Sequence, residues 1–174
     1  MATINSVLGP LDSKDLGFTL MHEHVMVAAS GLSTHYPDLL GPNREQRAIA
    51  ALKKAKAGGI QTMLDATTFD LGRDPQLLKT VAEASGVNLI NVTGWWLDVP
   101  RFMQGVGPNQ MADEFIKDLT EGFRGTQIKA GMLKCAADFE GVTPPLETMA
   151  RAVARAHLQT KVPIMVHSYP TGQV

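Results

Sequence analysis

Short apolar runs alternate along this chain with longer stretches in which apolar positions recur every three or four residues. The runs at 18–25, 61–66, 87–93, 127–134 and 162–167 read as strands. Between them lie helical patterns. Residues 43–57 place Ala48, Leu52 and Ala55 on one stripe, and Gly58-Gly59 stops it. Residues 75–85 open on Pro75 behind a capping Asp74 and stop at Gly86. A shorter pattern covers 111–122, and an alanine-rich one follows Thr143-Pro144, with Glu147 in its first turn, to about Gln159. Ahead of all these, Ile4-Asn5-Ser6-Val7 reads as a short strand closed by a turn at Gly9-Pro10.

A βα unit repeated about five times predicts a parallel sheet, either open or curled towards a barrel. An eight-stranded barrel takes ~250 residues. A chain of 174 residues with five strands is therefore expected to be a (β/α)8 TIM barrel cut short after about five units. Residues 1–174 would form the N-terminal part of one barrel domain. An open doubly wound sheet fits the length too, but its glycine-rich phosphate turn is missing.

Composition narrows the partners. Hydrophobic residues make up 44%, charged residues 19%, and the net charge is −1. Such a balance suits a soluble globular domain and gives no basic footprint for nucleic acid or an anionic membrane. Cys135 is the one cysteine, so no internal disulfide is expected. No basic region followed by an apolar run marks the first twenty residues, and no stretch approaches the length of a membrane helix. The expected location is the cytoplasm.

The chemistry gathers at strand ends. In His22-Glu23-His24, alternation along a strand sends both imidazoles to one face, with Leu20 beneath them towards the barrel interior. Such a pair suits a metal ion; buried histidines bonded to backbone are the plainer reading. Lys134 closes a largely apolar run, where a charged amine is costly to bury. It could form an ion pair, snorkel to solvent, act as a neutral nucleophile, or take up carbon dioxide as a carbamate. His167 closes the last run, at the end where βα barrels carry catalytic groups. His35, in a polar loop, and His157, in a helix, lack that position, and Cys135 reads as a buried hydrophobe. Asp70, Arg73 and Asp74 are expected to form a local ion-pair network that fixes their loop. Trp95 and Trp96 either line an apolar substrate pocket or pack under a loop.

Taken together and in order, His22-Glu23-His24, Thr68 to Asp74, Thr93-Gly94-x-Trp96, Lys134 and Val166-His167 resemble the phosphotriesterase family of the amidohydrolase superfamily. The resemblance runs along nearly the whole chain. It implies a barrel with two divalent metal ions, typically zinc. His22 and His24 would hold the more buried ion, His167 the more exposed one, and carbamylated Lys134 would bridge them. Trp96 falls where the family has an aromatic pocket residue. The implied activity is metal-dependent hydrolysis, in which activated water attacks an ester or lactone carbonyl, with phosphotriester hydrolysis as the alternative. The substrate would be a small molecule.

The family also has a histidine ligand on strand six and a proton-handling aspartate on strand eight, and Val174 comes before both. A fragment is therefore expected. Two other readings are a non-catalytic binding or scaffold protein, whose open sheet edge could recruit a second copy, and a Schiff-base aldolase using Lys134.

Overall fold

The computed structural model of the protein describes residues 2–97 and 99–169. An antiparallel hairpin, β1 (Thr3–Ser6) with β2 (Gly9–Asp12), comes first. Five strands then form one parallel sheet in chain order: β3 (Thr19–Glu23), β4 (Thr62–Asp65), β5 (Asn88–Gly94), β6 (Met132–Ala137) and β7 (Ile164–Ser168). The connections carry α1 (Leu32–His35), α2 (Arg44–Ala57), α3 (Pro75–Ser85), α4 (Pro108–Thr120) and α5 (Pro144–Thr160). Each strand pairs with the next through a helical crossover, and the sheet curls into half of a TIM-type barrel.

Two apolar layers flank the sheet. The larger lies between sheet and helices and holds Met63, Leu89, Leu133, Leu78, Val81, Phe115 and Met149. Its helical contributors recur at three- and four-residue spacing: Met111, Ala112, Phe115 and Leu119 on α4, and Leu146, Met149, Val153 and Ala156 on α5. The smaller layer fills the concave side with Leu64, Ala66, Ile90, Val92 and Met132, joined by Ile4, Leu16 and Met165. The hairpin thus contributes to the interior through Ile4, and Val7 N donates to Leu89 O.

Helix boundaries follow local chemistry. The Asp74 carboxylate accepts from Leu77 N, and Gly86 ends α3 in the left-handed region at φ 70°. Helix α4 begins at Pro108, three residues before the apolar pattern makes it visible, because proline at a first helical position loses no hydrogen bond. His35, read as a loop residue, lies in the single turn of α1.

Two strand expectations need correction. The apolar run 127–134 is not one strand: β6 begins at Met132. Gly131 N still donates to Asn91 O of β5, but ahead of it the backbone is bonded elsewhere. Ala130 N donates to Asp118 O, Ala130 O accepts from Asn5 Nδ2, and Ile128 O accepts from Phe123 N. Gly131 sits so close to the hairpin that a Cβ there would lie 2.3 Å from Asn5 O and 2.6 Å from Ile90 Cγ2. Lys134 is therefore third in its strand, not last. Leu20 is also misplaced by strict alternation. Leu20 pairs with Met63 and Glu23 with Asp65, so β3 has one residue more than β4 between these points. This bulge puts Leu20 against the helix-side layer, while Met21 and His22 together stand opposite Leu64 on the concave side.

Candidate functional site

Lys134 follows Met132 by two residues and shares its concave face, so its stem rises from the interior layer. It is only 1% exposed. Its Nζ lies 2.8 Å from Nε2 of His22 and 3.6 Å from Sδ of Met165. Among the described residues no carboxylate forms an ion pair with it. Burial pushes the amine down to about 8 from its ordinary 10.5, against the opposing influence of Cys135 and Asp70.

The bulge in β3 aims His22 at this amine. The His22 ring centroid lies 5.9 Å from that of His24 and 5.8 Å from that of His167, at the other edge of the sheet. Residues 112 and 145 positions distant from His22 and 33 apart from each other thus meet at one rim. Partial burial, then the nearby Lys134 charge, lowers His22 below the usual imidazole range. The same causes, with His22 added, take His24 down to about 4. Both rings are therefore neutral at neutral pH, the form in which imidazole offers a lone pair.

Trp96 joins the rim, its ring edge-on to His167 at 5.9 Å. Trp95 does not. It is buried, packs against Phe115 at 5.0 Å, and belongs to the helix-side core. The reading of both indoles as pocket wall is corrected for Trp95, because adjacent strand-end residues point to opposite faces. Cys135 is likewise buried on the helix side, and burial pushes its thiol up. His157 Nδ1 lies 2.8 Å from Val162 O and is structural.

The Thr68–Asp74 loop is tied within itself, where Thr68 Oγ1 donates to Asp70, and also to neighbouring elements. Asp74 caps α3 and pairs with Arg44 at 3.7 Å. Arg73 donates to Val92 O at 3.0 Å, pairs with Asp118 at 3.4 Å and lies 4.0 Å over the Phe123 ring. Asp118 also accepts from Thr93 Oγ1 at 2.6 Å. Asp70 accepts from Trp96 N, which fixes the backbone of the rim indole. Burial lowers Arg73 and raises Asp118, and each opposes the other's shift.

Sequence reasoning missed Asp65 and Thr67. Asp65 is buried, and burial raises it to about 6 against the donors Val25 N and Thr67, nearby Arg73 and the donor Asn91. Thr67 Oγ1 lies 2.9 Å from His24 Nδ1. A carboxylate in the apolar run Met63-Leu64-Asp65-Ala66 was the available signal, since an isolated buried charge needs a partner.

The donor chemistry fits a divalent cation of the zinc kind: neutral imidazoles on one rim and a buried amine able to become an anionic ligand. Among the described residues no three histidine, cysteine or carboxylate groups close a coordination sphere by themselves.

A parallel βα half-barrel that gathers its polar side chains at the C-terminal ends of its strands belongs to the class of TIM-type barrel proteins. Within that class the chain belongs to the phosphotriesterase family, whose model matches residues 2–173. It is 40% identical over 180 residues to a phosphotriesterase homology protein of Mycobacterium tuberculosis, covering 97% of this chain and 55% of the relative. It is 40% identical over 161 residues to an aryldialkylphosphatase of Saccharolobus solfataricus, covering 91% and 51%. An N-acetyltaurine hydrolase of Rattus norvegicus is 26% identical over 196 residues, covering 94% and 56%. The chain spans about half the length of these curated relatives. Among the described residues no helix is long and apolar enough to cross a membrane.

Proposed function

We propose that the chain carries half of a metal-dependent hydrolase site acting on an uncharged ester, with a lactone or carboxylic ester as first choice. The observation that supports this most is Lys134, buried without a carboxylate partner, 2.8 Å from His22 and on the rim shared with His24 and His167. His22, His24 and His167 would hold divalent metal, zinc by donor type. Lys134 would join them after its neutral amine adds carbon dioxide, forming an N–C bond and releasing a proton. Metal bound there would lower the pKa of water towards ~7 and polarise the substrate oxygen.

The chain's own residues supply the setting. The interior layer beneath Lys134 keeps its stem dry. Trp96 gives the rim an apolar wall suited to an uncharged substrate. Phosphotriester hydrolysis is the second reading, favoured by 40% identity to an aryldialkylphosphatase. Both substrates present an oxygen that gains negative charge as water attacks, so the same rim serves either.

The test is metal content by mass spectrometry on purified protein. Lys134→Ala should lose bound metal, and carbon dioxide with a short carboxylic acid should restore part of it. Full occupancy in that variant without added acid would end the carbamate reading. Turnover of a lactone panel set against aryl dialkyl phosphates decides the substrate.

A further inference from the structure

Thr67 and Asp65 lie outside the donor set, yet Thr67 touches the His24 ring and Asp65 holds both Thr67 and the peptide that follows His24. Thr67 Oγ1 is 2.9 Å from His24 Nδ1 and 2.9 Å from Asp65 Oδ1. The same Oδ1 accepts from Val25 N at 2.9 Å, the peptide directly after His24. Asp65 Oδ2 accepts from Asn91 Nδ2 at 3.2 Å. Asp65 and Thr67 are 1% exposed and Asn91 0%, so water does not compete for these bonds.

A threonine hydroxyl has one proton. If it went to His24, the Thr67 and Asp65 oxygens would face each other with lone pairs in a buried setting, which is costly. The proton therefore goes to Asp65, and the hydroxyl can only accept from the ring. We propose that Thr67, held by Asp65, is a positioning residue that fixes His24 in the Nδ1–H tautomer and leaves Nε2 bare as the lone-pair nitrogen. The carboxylate also anchors the backbone beside the ring, so one group sets both the place and the proton of His24. The consequence for metal affinity rests on the reading given under Proposed function; the tautomer does not.

The experiment uses two-bond 1H–15N correlation spectra of the metal-free chain at pH 7.5, with His24 assigned by the signal lost in His24→Gln. The unaltered chain should show Nδ1–H. Thr67→Val should move His24 towards Nε2–H and weaken zinc affinity, read by chelator competition, about 10–100-fold. Thr67→Ser should restore both. Nε2–H in the unaltered chain overturns the proposal, as does a valine variant with unchanged tautomer and zinc affinity. If the valine variant fails to fold, the spectrum of the unaltered chain still decides. An unaltered chain with Nδ1–H but no zinc binding supports the tautomer assignment and counts against the metal reading.

Discussion

At the scale of single residues, Lys134 is an amine held almost wholly out of water. Its amine titrates near 8 when folded and near 10.5 when not. Below 8 both states are protonated, and the fold bears the full cost of a buried ammonium. Between 8 and 10.5 the unfolded chain holds a proton that the folded chain has released, so the lysine's own contribution to the stability of the metal-free protein rises with pH. Against Lys134→Met, the unaltered chain should gain about 2 kcal/mol between pH 7.5 and 9.5, measured by urea unfolding. Parallel pH curves for the two would remove this account of the amine. Asp65, raised to about 6, releases its proton below that window and does not contribute. The same depression makes the neutral amine about 300-fold more abundant at pH 7 than in an ordinary lysine, which favours carbon dioxide uptake.

At the scale of elements, the junction of β5 and β6 sets how the lysine is presented. Gly94 pairs with Lys134 and has φ +117°, a region that side chains rarely enter. A Cβ there would lie 1.9 Å from Lys134 O. Gly94→Ala should therefore destabilise the fold by more than 2 kcal/mol in urea unfolding, and shift the Lys134 strand. Leu89→Ala on the helix side of β5 offers a comparison, costing about 2–5 kcal/mol through a cavity without disturbing that contact. A glycine variant with unaltered stability would mean that the two strands are not so tightly apposed.

Much of this scale was legible beforehand. Helix α3 could be read from Asp74, Pro75 and Gly86 because each acts on its own neighbours. Four of the five strand runs fall close to their places, whereas Lys134, expected at a strand end, stands third in β6. What could not be read depends on contacts remote in sequence. Ala130 leaves the strand because Asn5 and Asp118 claim its backbone, and Leu20 turns outward because β3 is longer than β4 at one point. Trp95 and Trp96 look equivalent in sequence and differ only by the face each meets.

At the scale of the whole molecule, the sheet has β3 at one edge and β7 at the other, each with a strand partner on one side only among the described residues. Ile164 and Val166 on β7 are exposed, as is nearby chain at Leu158. Unpaired edges with apolar side chains recruit further strands. The isolated 174-residue chain should associate with rising concentration in sedimentation experiments, and Val166→Lys should weaken that association. Concentration-independent monomers would show that the edges are inert.

The extra residue in β3 has a consequence for how such a motif can vary or be transplanted. Ahead of it, the chain answers to the helices outside; after it, the chain answers to the cavity. The two demands are mechanically uncoupled by a single peptide unit, so Leu20 can change to suit its neighbours while the imidazole pair keeps its heading. Copying Leu-Met-His-Glu-His onto a strand of unbroken pleat, with the leucine kept against the helices, would turn both imidazoles towards the helices as well.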